Sequence, residues 1–311
     1  MSELILHHYP ASPFAEKARL LMGFKNLAWR SVQIPPVMPK PDLTALTGGY
    51  RKTPVLQIGA DIYCDTALIA RRLEVHQPQP ALLPGKQAFA IAAFAQWADS
   101  VVFQHAVSLV FQPESMALRF AKAPPEFVQT FIADRSKLFS GGQASRMSAE
   151  QAKHQWPGFM TRLQAQLDTS DGDFLFGEAS LADIAMAHPL WFLRATPVTS
   201  PLVDGYPSVA DWLDRVLALG HGKSEEISGE VAIEVARAAT PAALPEEAFS
   251  DPNGFTAGQR VAISAVDYGV EAVEGELLFA GAEELILRRE DDRAGVVHVH
   301  FPRLGFRIEA R

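Results

Sequence analysis

The chain has one cysteine in 311 residues. That excludes a disulfide framework and a cysteine-rich metal centre. No apolar stretch approaches the ~18 uninterrupted residues of a membrane-spanning helix. The opening MSELILHHYPASPF carries no basic leader, and its apolar run is too short for a secretory signal. A lone thiol and no export signal together predict a reducing cytoplasm. Lysine is missing after residue 223. Residues 225–311 hold 17 acidic side chains against eight arginines, so this stretch carries −9 and the rest of the chain +1. Phosphate binding needs clustered cations, so nucleic acid is not the expected partner. Internal repeats and low-complexity tracts are also missing. What is present, 48% hydrophobic and 21% charged residues, is globular, with length for two or three domains.

Three textures follow one another. Residues 1–77 mix strand and helix: a strand at Leu4–Tyr9, a helix opened by Ser12-Pro13 and ended at Gly23 or Asn26, and a strand at Trp29–Ile34. Pro35, Pro36, Pro39 and Pro41 then interrupt regular structure. A hairpin follows at Val55–Ile58 and Ile62–Cys64, then a helix from Thr66 to His76. PQPALLPG (78–85) reads as a linker. Residues 86–222 are helical throughout, in segments near 86–111, 125–139, 148–169, 180–194 and 207–219, with Pro157 expected to kink or split its helix. Residues 223–250 read as linker plus a short helix. Residues 251–311 carry five short β-rich runs, at Val261–Val266, Gly275–Phe279, Leu285–Arg289, Val296–Phe301 and Phe306–Glu309, which predict a small barrel-like module.

Three local patterns carry chemistry. Ser12-Pro13-Phe14 is a hydroxyl N-cap followed by proline at the first helical position. Thr53-Pro54 stands at the mouth of a strand. Asp65-Thr66 opens a helix, where free N–H groups and the dipole form an anion site, although either residue serves equally as a plain N-cap. Further on, Ser180-Leu181-Ala182-Asp183 has the spacing of a capping box.

Over residues 3–220, these motifs in this element order resemble the glutathione transferase family. The resemblance implies a thioredoxin-like domain followed by an all-helical domain. It also implies glutathione as co-substrate, a family-like homodimer and a detoxifying conjugation to a small hydrophobic electrophile. Pro54 then matches the family's cis-proline, with the main chain of Val55 offered to the cysteinyl part of glutathione. Asp65-Thr66 stands where Glu-Ser is usual and would hold the γ-glutamyl end. Lys52, or Arg51 in its place, would touch the glycyl end.

Ser12 matches the residue facing the glutathione sulfur, and Tyr9 is its rival. Lowering a thiol pKa from ~8.5 to ~6.5 needs about 2.7 kcal/mol. A hydroxyl donating to a charged sulfur supplies roughly 1.5–3 kcal/mol, and a helix N-terminus adds about 0.3–1 kcal/mol. With no cysteine there, conjugation is expected over disulfide exchange. Phe103, Val107 and Phe111 are candidate walls of the electrophile pocket and equally candidate core, beside polar Gln104 and His105. The alternative is a non-catalytic scaffold whose acidic C-terminal module binds a protein partner.

The remaining candidates read as structural. Cys64 reads as a buried strand residue. His7 and His8 point to opposite strand faces. His298 and His300 share a face, but no third ligand stands near them in sequence, so no metal is expected.

Overall fold

The structure is a computed structural model and describes residues 3–144 and 147–311. It opens with β1 (Leu4–His8), α1 (Pro13–Phe24), β2 (Ala28–Gln33), α2 (Pro41–Thr47), β3 (Val55–Ile58), β4 (Asp61–Cys64) and α3 (Thr66–His76). β1 is central, parallel to β2 and antiparallel to β3, which in turn pairs antiparallel with β4. All five residues of β1 are buried, as a strand with neighbours on both edges and helices on both faces requires. This is the thioredoxin-like order. α1 runs one residue beyond Gly23, which serves close packing there and does not end the helix: an added Cβ would lie 1.9 Å from the Gly220 carbonyl oxygen.

The helical part holds α4 (Ala88–Trp97), a π turn (Ala98–Val102), α5 (Phe103–Val110), α6 (Pro113–Arg119), α7 (Pro125–Leu138), α8 (Ala149–Thr169), α9 (Leu181–Arg194), α10 (Pro201–Asp204) and α11 (Pro207–Leu217). α8 is not split at Pro157. Proline removes a single ladder bond, and the helix is held on either side by buried Trp156 and Met160. Trp156 also donates its indole N–H to the Leu202 carbonyl at 2.9 Å. α9 is almost wholly buried between α1 and α4–α5.

Beyond Leu219 the chain returns to the sheet. Residues 223–227, expected as linker, form β5 (Lys223–Ile227), parallel to β2. Four of its five residues are exposed, so it carries no apolar signature; its role is to cover the open edge of β2. The short helix expected next is α12 (Gly229–Ala238), packed on α2, β2 and β9. The five strands follow as β6 (Arg260–Ala265), β7 (Val273–Ala280), β8 (Glu284–Asp291), β9 (Gly295–Pro302) and β10 (Phe306–Ala310).

These strands do not close into a barrel. β9 pairs in parallel with β4, and the whole becomes one ten-stranded sheet in the order β10-β6-β7-β8-β9-β4-β3-β1-β2-β5. An unpaired β4 edge is a liability, and β9 removes it. One core joins α1 and α3 to the helical part. A second joins Leu43 and Leu46 of α2 and Ile233 of α12 to Leu287, Val297, Val299 and Phe301 of the extension.

Candidate functional site

Two adjoining cavities lie where the thioredoxin-like part, the helical part and the extension meet. They share Phe14, Lys52, Thr53 and Tyr268. The smaller, about 450 Å³, has the more polar side chains in its lining, Asp65, Thr66, Asp99 and Asp267 among them. Its floor is Thr53, Pro54 and the start of α3 (Asp65, Thr66, Ala67). The Thr53–Pro54 peptide is cis. Asp65 has φ 76°, a conformation costly for a residue with a Cβ and commonest at ligand clamps and turns. Its Oδ1 accepts the Ala67 N–H at 2.9 Å, which makes Asp65 the N-cap and Thr66 the first helical residue. Thr66 Oγ1 accepts from Lys17 Nζ at 3.3 Å.

Lys17 is the centre of a buried group that spacing alone did not reveal. It pairs with Asp99, and Asp99 Oδ1 lies 3.0 Å from His188 Nε2. Burial would raise the Asp99 carboxyl, but Lys17 and the His188 bond outweigh it and hold Asp99 below the usual carboxylate range. Burial, the largest influence on His188, lowers it despite Asp99. One buried cation is thus neutralised directly under Thr66. The signal was present in α1, whose charged Glu16, Lys17 and Arg19 interrupt an otherwise apolar helix and are all buried.

The roof of the polar cavity comes from the β6–β7 connection, Val266, Asp267 and Tyr268. Lys52 Nζ lies 2.5 Å from Asp267 Oδ1 and 4.3 Å from the centre of the Tyr268 ring. Arg51 is likewise engaged, with Asp134 at 2.8 Å and Glu271 at 3.3 Å. The roof is tied to the α7–α8 loop by the Gln143 N–H to Val266 O (2.8 Å) and the Ala144 N–H to Asp267 O (3.0 Å).

The larger cavity, about 800 Å³, is lined mainly by rings, with Phe103, Val107 and Phe111 among them. Gln104 and His105 face the polar cavity instead. Ser12 is nearly buried at the edge of the larger cavity and caps α1, its Oγ accepting the Ala15 N–H at 3.2 Å. That uses an acceptor position and leaves the hydroxyl proton to donate. Tyr9 lines the same cavity, with Lys40 Nζ 5.8 Å from its ring centre.

Val55 is not brought to either cavity. It is fully buried and pairs with His7 on one side and Cys64 on the other. A strand residue flanked on both edges has no main-chain edge to offer a ligand. Thr53, on the other side of the cis bond, lines both cavities.

Asp183 accepts from the Ser180 N–H (3.0 Å) and hydroxyl (2.9 Å), the Leu175 N–H (2.9 Å) and the Trp212 indole (2.9 Å), so this motif is structural. Cys64 is buried, and burial pushes its thiol far up. A third ligand atom does reach His298 and His300. Asp61, 239 positions before His300, arrives through the β4–β9 pairing, and the three ligand atoms lie within 4.8 Å of one another. His300 is already held at both nitrogens, 3.0 Å from Asp61 and 2.7 Å from Glu284. Among the described residues no helix is long and apolar enough to cross a membrane.

The sequence matches the N-terminal domain model of glutathione S-transferases over residues 6–81 and the C-terminal domain model over residues 147–215. The crystal structure of a GST-like protein from Pseudomonas syringae is 63% identical, covering 100% of both chains, with a TM-score of 0.84. That similarity includes the extension. Glutathione S-transferase III in apo form is 22% identical, with a TM-score of 0.52 over 70% of this chain and 92% of that one. A glutathione S-transferase from Methylobacillus flagellatus KT with GSH bound is 20% identical, with a TM-score of 0.50 over 69% of this chain and 95% of that one. At such identities these two share the fold alone. No protein of curated function matches.

Proposed function

Because the chain belongs to the glutathione S-transferase family, we propose that it binds glutathione in the polar cavity, ionises the thiol beside Ser12 and conjugates it to a hydrophobic electrophile in the ring-lined cavity. The observation that carries this reading is the junction of the two cavities at Phe14, Lys52, Thr53 and Tyr268, with Ser12 bordering the larger one. Glutathione extends along Thr53–Pro54. Its γ-glutamyl end meets Asp65-Thr66 and its glycyl carboxylate meets Lys52. The thiol proton leaves to solvent and Ser12 donates to the thiolate. The thiolate then forms a C–S bond with the electrophilic carbon, and the leaving group departs with its electron pair. A structure of the same fold holds glutathione, which fits this reading.

The enzyme is further proposed to act as a cytoplasmic homodimer. Val75 on α3 and Phe89 on α4 are 70% and 86% exposed, apolar surface that a second copy would cover.

The test is an ultraviolet difference spectrum of glutathione with the protein near pH 6.5, with S-methylglutathione as the control for binding without ionisation. A saturable thiolate band is expected. It disappears in Ser12→Ala and persists in Tyr9→Phe. Loss of the roughly 1.5–3 kcal/mol charge-assisted bond lowers kcat/KM about 10- to 100-fold. If millimolar glutathione gives no thiolate band, the transferase reading fails and the acidic extension becomes the place to seek a binding partner.

A further inference from the structure

The larger cavity is ring-lined, yet five cations face it: Lys40, Arg51, Lys52, Arg119 and Arg135. No Asp or Glu lines it among the described residues. Three of the five are matched from outside. Arg51 and Arg135 share Asp134, at 2.8 and 2.9 Å, and Lys52 has Asp267.

Lys40 and Arg119 have no carboxylate within ion-pair distance among the described residues. Lys40 is 3% exposed, and the only hydrogen-bond partner of its amine among the described residues is the neutral Thr53 Oγ1 at 2.9 Å. Arg119 lies 4.3 Å over the Phe192 ring and donates Nη2 to the Phe192 carbonyl at 2.5 Å, while its Nε is buried without a partner among the described residues. Arg135 Nε is a second such donor, with its guanidinium 4.9 Å over Phe131. A buried cation is costly unless an anion meets it, and a buried donor without a partner is rare enough to need a reason. Burial, reinforced by Arg135 and Arg51 and only partly offset by Asp134, brings the Lys40 amine down to about 7.

We propose that the ring-lined cavity is an anion-accepting aromatic site: its electrophile is an aromatic compound bearing a carboxylate or comparable anionic group. The ring packs among Phe103, Phe111 and Phe131. The charge meets Arg119 at the phenylalanine-rich end, and Lys40, at the Thr53 end, adds a longer-range attraction. The substrate class rests on the conjugation reading, but the anion preference of the cavity does not, and the two are separable by experiment.

Two matched pairs of probes make the test. The first pair reads binding alone, without glutathione: fluorescence titration with 1-anilinonaphthalene-8-sulfonate against neutral N-phenyl-1-naphthylamine. The second reads conjugation: 4-chloro-3-nitrobenzoate against 4-chloro-3-nitrobenzamide. In each case thiolate displaces chloride from the aromatic carbon; a carboxamide activates that carbon more than a carboxylate does, so each kcat/KM is divided by the uncatalysed rate with glutathione before the pair is compared.

The wild-type protein is expected to favour the anionic member of each pair at least tenfold. Arg119→Met should lower the anionic probe's affinity at least tenfold more than the neutral probe's, and Lys40→Met, as an independent variant, should act in the same direction by a smaller factor. A purely structural role for either cation would lower both probes alike, and that result overturns the assignment. Equal or weaker binding of the anionic member by the wild-type protein also overturns it. If the anion preference in binding stands while neither chloronitro compound is conjugated, the anion site holds and the conjugation reading fails.

Discussion

Lys52 Nζ lies 2.5 Å from Asp267 Oδ1, an ion pair between residues 215 positions apart. The extension therefore holds the residue proposed to meet the glycyl carboxylate of glutathione. Asp267 competes with that carboxylate for the same ammonium. Asp267 is half exposed, so the pair is worth at most about 1 kcal/mol. Asp267→Asn is expected to lower KM for glutathione roughly two- to fivefold. Steady-state kinetics over a range of salt concentrations checks this. A rise in KM would mean that Asp267 positions Lys52 and does not compete for it.

The roof reaches the site through a backbone contact that only glycine permits. A Cβ on Gly142 would lie 1.6 Å from the Asp267 carbonyl oxygen, a main-chain atom that cannot swing aside. Gly142→Ala must push the β6–β7 connection off the α7–α8 loop and break the two hydrogen bonds that join them. Overpacking of this kind costs roughly 1–3 kcal/mol. The expected result is a lower urea midpoint together with faster proteolytic cleavage near residues 266–271. Unchanged cleavage would show that the roof does not depend on this contact.

The parts of the site legible in the sequence are those whose cause is local. Ser12-Pro13 caps a helix wherever the helix goes, and Asp65 and the Ser180–Asp183 box declare helix starts by the same chemistry. The roof was not legible, because nothing near Val266–Tyr268 names Lys52 as its neighbour. β5 was not legible because an exposed edge strand needs no apolar alternation; Lys-Ser-Glu-Glu-Ile looks like a linker. The barrel-like reading of residues 251–311 identified the strands but not their closure. Closure depends on whether β9 has a better partner, and the open edge of β4 is one. Asp61 was missed as a neighbour of His298 and His300 for the same reason. Val55 was expected at the site but is the first residue of β3 and lines neither cavity, whereas Thr53 and Pro54 precede the strand and line the smaller one.

Asp183 supports the buried start of α9 through four hydrogen bonds. Asp183→Ala leaves the Trp212 indole and two buried N–H groups without acceptors, each worth about 1–3 kcal/mol. A loss on the order of 4 kcal/mol is expected. Thermal denaturation should show it as a large drop in Tm, while activity per folded molecule in the cold is retained. A loss of activity without a loss of stability would assign Asp183 a role in the site.

Two buried histidines tilt stability in opposite directions with pH. Burial is the main influence on His7 and brings it down to about 4, against a weaker upward pull from its Gln57 bond. Above pH ~6.5 the ring is neutral in both folded and unfolded chains. As pH falls, the unfolded chain takes up the proton first, so stability declines from about 6.5 toward 4, by on the order of 3 kcal/mol. His300 behaves the other way. Burial would lower it, but Asp61 and Glu284 on its two nitrogens outweigh that and hold it above 6.5. Its contribution is complete below 6.5 and is lost as pH rises through the elevated folded value. The two effects predict a stability maximum on the mildly acidic side of neutrality. Urea denaturation from pH 4 to 9 is expected to show His7→Gln making the acid limb shallower, with buried His8, also brought down to about 4, carrying a further share of it, and His300→Gln changing the alkaline limb alone. If either variant shifts the whole curve without changing a limb, its histidine acts through packing and its proton is uninvolved.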